Sequence, residues 1–175
     1  MAGEVVWYVT GRFYADANGN LYDVGYFLNL QGVGGALSET DAYLTFAAVP
    51  FSSPAIQNGS LSIGVDATGS FSIYLLDPPG ASFDDPATFS AGTPIATFSR
   101  IAIVPTVKIG VGANDTLLAN VFTAQLVSSQ PFTFQGATYD LADVVGHGIT
   151  QWGTAASTSA DTSGVPFVGS AIRVD

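Results

Sequence analysis

The chain has no cysteine, one methionine, one histidine and, in 175 residues, only four basic side chains: Arg12, Arg100, Lys108 and Arg173. Each scarcity removes a class of chemistry. Without thiols there is no disulfide, no thiolate nucleophile and no sulfur-ligated metal centre. A lone His147 without an H-x-x-x-H partner does not encode a histidine zinc site. Four cations stand against fourteen acids, a net charge of −10. Nothing here neutralises a run of phosphates, so nucleic acid and polybasic membrane contact are excluded as partners. The glycine clusters GVGG (32–35) and GVGAND (110–115) lack the lysine or the following helix of a phosphate loop. No cofactor is implied. No stretch approaches 18 uninterrupted apolar residues, so no membrane-spanning helix is encoded.

MAGEVVWYVT has neither the charged n-region nor the apolar h-region of a signal peptide. If exported, the protein is read here in a mature form with an added Met. The Lys-poor, Ser/Thr/Gly/Asn-rich composition points to an extracellular or cell-surface place, with the cytoplasm left open.

What is present is apolar. Hydrophobic residues make up 47% and aromatics 12%, whereas charged residues make up 10%, far below the usual quarter of a soluble domain. That excludes a disordered chain and leaves a surface built from small polar residues and a few acids. Part of such a surface is expected to be covered by a ligand or by another copy of the chain.

Period-two segments bounded by turn residues recur from end to end. EVVWYVTGRFY (4–14) is followed by DANGN (16–20) and LYDVGYFLNLQGV (21–33). In the latter, Tyr22, Val24, Tyr26, Leu28 and Leu30 share one face, and Asp23, Gly25, Asn29 and Gln31 the other. SLSIGVD (60–66) and SFSIYLL (70–76) read as a hairpin through DATG (66–69). IATFSRIAIV (95–104), NDTLLANVFTAQLVSS (114–129), ITQWGTAAS (149–157) and VPFVGSAIRV (165–174) supply later strands, and ASFDDPATFSAGTP (81–94) is the longest irregular stretch. Eight to ten short strands in one all-β domain spanning 1–175 predict a closed antiparallel β-barrel, with a two-sheet β-sandwich as the alternative. Closure is favoured because a chain with one lysine has little else to protect sheet edges. An outer-membrane barrel is disfavoured by the prolines crowding the middle of the chain.

The candidate functional residues are few. His147, in VVGHGITQWG, follows Asp143 by one helical turn, a spacing that lets the carboxylate orient the imidazole; a support role in a turn is the plainer expectation. Arg12 and Arg100 lie within apolar strands, where a charge needs a partner. If Arg12 (with Tyr8 and Tyr14) and Arg100 (with Ala96, Phe98, Ala102 and Val104) face a cavity, they can hold a ligand carboxylate; otherwise each pairs with Glu4, Asp23 or Asp41. Tyr8, Tyr14, Tyr26, Tyr43 and Tyr74 either line that cavity or pack the core. Trp7 and Trp152 suit stacking on sugar rings or burial. Asp16, Asn18 and Asn20, at alternate positions, resemble the start of a calcium loop, with Asp16, Asn18 and Asp23 as candidate ligands, but the sixth and twelfth positions are Leu21 and Phe27, so Asn18-Gly19 reads as a tight hairpin turn. The adjacent acids Asp84 and Asp85, before a proline, read as a solvated turn.

These features lead to four expectations. First is a binding module holding a small apolar molecule inside a barrel, as a homo-oligomer. The others are a self-assembling surface protein, a cofactor-independent isomerase or cyclase using Arg12, Arg100, Tyr26 and His147, and a calcium-assisted glycan binder. The balance leans away from an enzyme. The strand-and-turn texture resembles the small antiparallel barrels of allene oxide cyclases and dirigent proteins, a likeness of fold alone.

Overall fold

A computed structural model describes residues 3–50, 55–58, 61–64, 69–100, 106–110, 116–155 and 163–175. Its strands are β1 (Val5–Ala15), β2 (Leu21–Leu30), β3 (Leu44–Ala48), β4 (Ala55–Asn58), β5 (Leu61–Gly64), β6 (Ser70–Leu75), β7 (Thr93–Arg100), β8 (Thr106–Gly110), β9 (Thr116–Ser129), β10 (Phe132–Phe134), β11 (Ala137–Tyr139), β12 (Gly148–Ala155) and β13 (Val165–Val174), with one short helix, α1 (Leu141–Val145). Eight of them close a barrel in the order β12-β13-β1-β2-β3-β6-β7-β9, because β9 pairs again with β12. All these pairings are antiparallel. The barrel is the predicted architecture, and the β9–β12 ladder rules out the sandwich.

β9 also settles a helix-or-strand ambiguity. TLLANVFTAQL carries apolar residues at both spacings, and the ladders on either side of it decide for strand. Its C-terminal part pairs with β7 and its N-terminal part with β8, which leads to β5 and β4 as a branch outside the barrel. Consequently SLSIGVD and SFSIYLL are not a hairpin: β5 lies between β4 and β8, and β6 between β3 and β7. The β4–β5 hairpin is an insertion in a meander that resumes at β6. Residues 66–68 of DATG, with Ala102, Val104 and 111–115, lie outside the described residues. The 16–20 turn also departs from expectation. Gly19 is left-handed at φ +81, but the Asp16 carboxylate accepts from the backbone N–H groups of Asn18 and Asn20, making a longer loop capped by its own aspartate.

The barrel interior is filled with aromatic side chains. Trp7 sits edge-on to Phe27 and Phe98, with centroids at 5.5 and 5.9 Å, and Phe71 stacks on Phe98 at 4.9 Å. Room for rings of this size comes from Gly11 and Gly25, which face each other across β1 and β2. A Cβ on Gly11 would stand 2.7 Å from the Phe167 ring, and one on Gly25 2.6 Å from the Phe46 ring, so only glycine fits. The β10–β11 hairpin and α1 connect β9 to β12 and add Phe132, Leu141 and Val145 to this core, plugging that end.

β2 is buried on both faces. Phe27 and Asp23 point inward, while Val24 and Tyr26 point outward yet are only 2% and 6% exposed. Their cover is the 76–91 segment, which lays Leu76, Ala81, Phe83 and Phe89 over them as a second apolar cluster. The longest irregular stretch is therefore a tailored cover. Asp85 caps its 3-10 turn (Pro86–Ser90) by accepting from Ala87 N–H, and the buried Thr45 hydroxyl donates to the Phe89 carbonyl at 2.6 Å.

Candidate functional site

The two arginines of the apolar strands go to opposite sides of the barrel wall. Arg100 points inward and donates to the Asp23 carboxylate at 2.9 Å, the two side chains 3% and 9% exposed. Its guanidinium also lies 5.4 Å from the Phe71 ring centroid and 5.1 Å from that of Phe122, an arrangement in which ring faces offset part of the lost hydration. The carboxylate that Arg100 holds is thus the protein's own. Nearby, Trp7 Nε1–H donates to Gln151 at 2.9 Å. The space left between Trp7, Arg100 and Gln151 is about 10 Å³, enough for one water. The space among these side chains is thus too small for an apolar ligand. The cause is the number of phenylalanines that alternate inward.

Arg12 is outside. Its guanidinium lies 4.4 Å from the Phe83 ring centroid and donates to the Ser163 carbonyl at 3.0 Å. It clamps the cover to the wall beside Tyr14, whose hydroxyl donates to the Phe83 carbonyl at 3.0 Å. Burial pushes the Tyr14 phenol above its ordinary range, and the neighbouring Arg12 charge partly opposes that. Tyr26 lies under the cover, its hydroxyl donating to the Leu37 carbonyl at 3.4 Å, and burial followed by the Glu39 charge raises its phenol also.

His147 is exposed just after α1, and its backbone carbonyl accepts from Leu126 N–H at 2.9 Å. Among the described residues nothing hydrogen-bonds its imidazole. Asp143 on α1 is exposed, and Asp140 caps the helix by accepting from Ala142 N–H. His147, Arg12, Arg100 and Tyr26 therefore occupy four separate environments and do not form one constellation. The calcium candidates separate too: Asp16 is engaged by its own loop and by the Asn20 side chain, while Asp23 is inside against Arg100. Among the described residues no group of three or more acidic or histidine side chains could hold a metal ion.

Two of the candidates do come together. Tyr8 on β1 and Trp152 on β12 both stand opposite Ser170 of β13, on the outer wall, and are 48% and 44% exposed. With Leu28, Val121 and Val168 they line an open trough of about 470 Å³. Its polar groups are the hydroxyls of Ser170 and Thr154, which hydrogen-bond to nothing among the described residues, and no ionisable group other than the Tyr8 phenol lines it. Val121, Val168 and Ser170 escaped the reading of the sequence. Their signal was the alternation with inward or small residues in VFT, FVGS and QWGT, but only the β13 register shows that they are neighbours. Compared with protein-family models, with curated proteins and with solved structures, the chain matches none. The fold and the trough define an eight-stranded antiparallel barrel whose bare apolar wall is on the outside.

Proposed function

We propose that the protein is a non-catalytic binding module: a packed barrel serving as a scaffold, with an uncharged ligand held by its apolar face in the Tyr8–Trp152 trough. One observation carries this reading. The outer trough, at about 470 Å³, is within the range of ligand sites and its lining is overwhelmingly apolar, whereas the clefts of about 480 Å³ around Asp77 and Thr93 and about 310 Å³ around Phe27 and Tyr43 are lined evenly by polar and apolar groups. In this reading the apolar ligand sits on the wall of the barrel. An extracellular or cell-surface place suits such a module and rests on composition alone. The test is a neutral solvatochromic dye, Nile red, titrated into the wild type and Trp152→Ala. Saturable binding that the substitution removes supports the trough; equal binding by both proteins overturns it.

Assembly of copies is a second reading, favoured by a different feature. β4 ends the strand order, so among the described residues its outer edge has no strand neighbour, and a free edge is a template for pairing. Sedimentation over a hundredfold concentration range tests it: multimers support it and a uniform monomer overturns it.

A further inference from the structure

We infer that the ligand of the outer trough is an uncharged saccharide chain, stacked on Tyr8 and Trp152 with the Ser170 hydroxyl between them; this rests on the trough being the binding surface. The spacing is the first reason. Tyr8 and Trp152 flank Ser170 in register, and two antiparallel strand steps set their Cα atoms about 10 Å apart. That is close to the separation of alternate rings in a chain of β-linked hexoses. Such rings present C–H groups on their faces and hydroxyls around their rims. Two aromatic side chains meet the faces, while Ser170 and the exposed Thr154, whose hydroxyls have no partner among the described residues, meet the rims.

Charge and area choose between this partner and the others. The chain carries −10, so an acidic or sulfated polymer is repelled and a second copy brings the same charge to the contact. The exposed large apolar side chains lining the trough are Tyr8, Trp152 and Val168, with Val121 half-buried. Together they fall well short of the roughly 800 Å² per partner that a stable protein interface covers. A neutral sugar chain needs neither opposite charge nor a wide face. Its apolar faces want only the rings, and an open trough lets a polymer run past either end.

The experiment is co-sedimentation of the full chain with microcrystalline cellulose, chitin and insoluble mannan, with Tyr8→Ala, Trp152→Ala and Trp152→Phe alongside. The wild type is expected on at least one polymer. Each alanine variant should lower the partition at least tenfold while its melting temperature stays within the wild-type range, and Trp152→Phe should recover most of the retention. Failure of the wild type to bind any of the three, or retention indifferent to both alanine changes, overturns the saccharide assignment. The Nile red titration separates the two levels. Trp152-dependent dye binding without polymer binding removes the saccharide and leaves the trough; loss of both removes both.

Discussion

The barrel treats two sides of its outer wall differently. Over β2 the apolar residues Val24 and Tyr26 are covered by Phe83 and Phe89 from the chain's own 76–91 segment. Over β1, β13 and β12 the apolar residues Tyr8, Val168 and Trp152 are bare, at 48%, 53% and 44% exposure. Both sides arise from the same strand alternation, and in both the inward residues pack the same aromatic core. The covered side shows what this sequence does with apolar wall that serves only stability: it spends a long segment, a buried Thr45 hydroxyl bond and the Arg12–Phe83 contact to seal it. A tryptophan and a tyrosine left open on the other side, with hydroxyls between them, are the surface that the proposed function assigns to a partner.

The contrast can be broken from the covered side first. Phe89, part of the cover, is fully buried against β2, so Phe89→Ala should cost about 3–5 kcal/mol, read as a lower urea midpoint, and should expose the β2 face to Nile red. Next, Thr45→Val keeps the shape but leaves the Phe89 carbonyl without its buried donor, at about 1–3 kcal/mol. A smaller effect is expected from pH. The Tyr14 phenol is raised above its ordinary value of 10.0 in the folded state by burial. Its contribution is therefore whole below about pH 10 and is lost as pH climbs through the raised value. Unfolding midpoints between pH 8 and 11 should show a decline that Tyr14→Phe reduces. The smallest change in stability belongs to the bare side. Trp152→Ala or Tyr8→Ala should stay within about 0.5 kcal/mol of the wild type, because neither residue supports the core. A large loss there would mean that the bare wall is structural after all.

Much of this fold was legible in the sequence. Alternation in β1, β2 and β13 marked strands, scarce lysine argued for closure, and the pairing of Arg100 with Asp23 was among the partners weighed. The side of the wall was not legible. In β2 the apolar face reads as the core face and Asp23 as solvent-facing, whereas Asp23 is inside with Arg100 and the apolar face is sealed from without. Period two tells which residues share a face but not which face closes inward; that depends on where Gly11 and Gly25 admit rings and on a cover arriving from 76–91. The Tyr8–Trp152 pairing was hidden for a related reason. The two residues are far apart in the chain, and they meet only because β13 returns between the strands that carry them.

The most direct test of the bare wall is amide chemical-shift mapping of the isotopically labelled full chain during titration with cellohexaose and, separately, chitohexaose. The account predicts saturable shifts confined to the neighbourhood of residues 8, 121, 152, 154, 168 and 170, with the residues around 23 and 100 undisturbed. Shifts centred on the barrel interior or the 76–91 cover, or no shifts with either oligosaccharide, would contradict it.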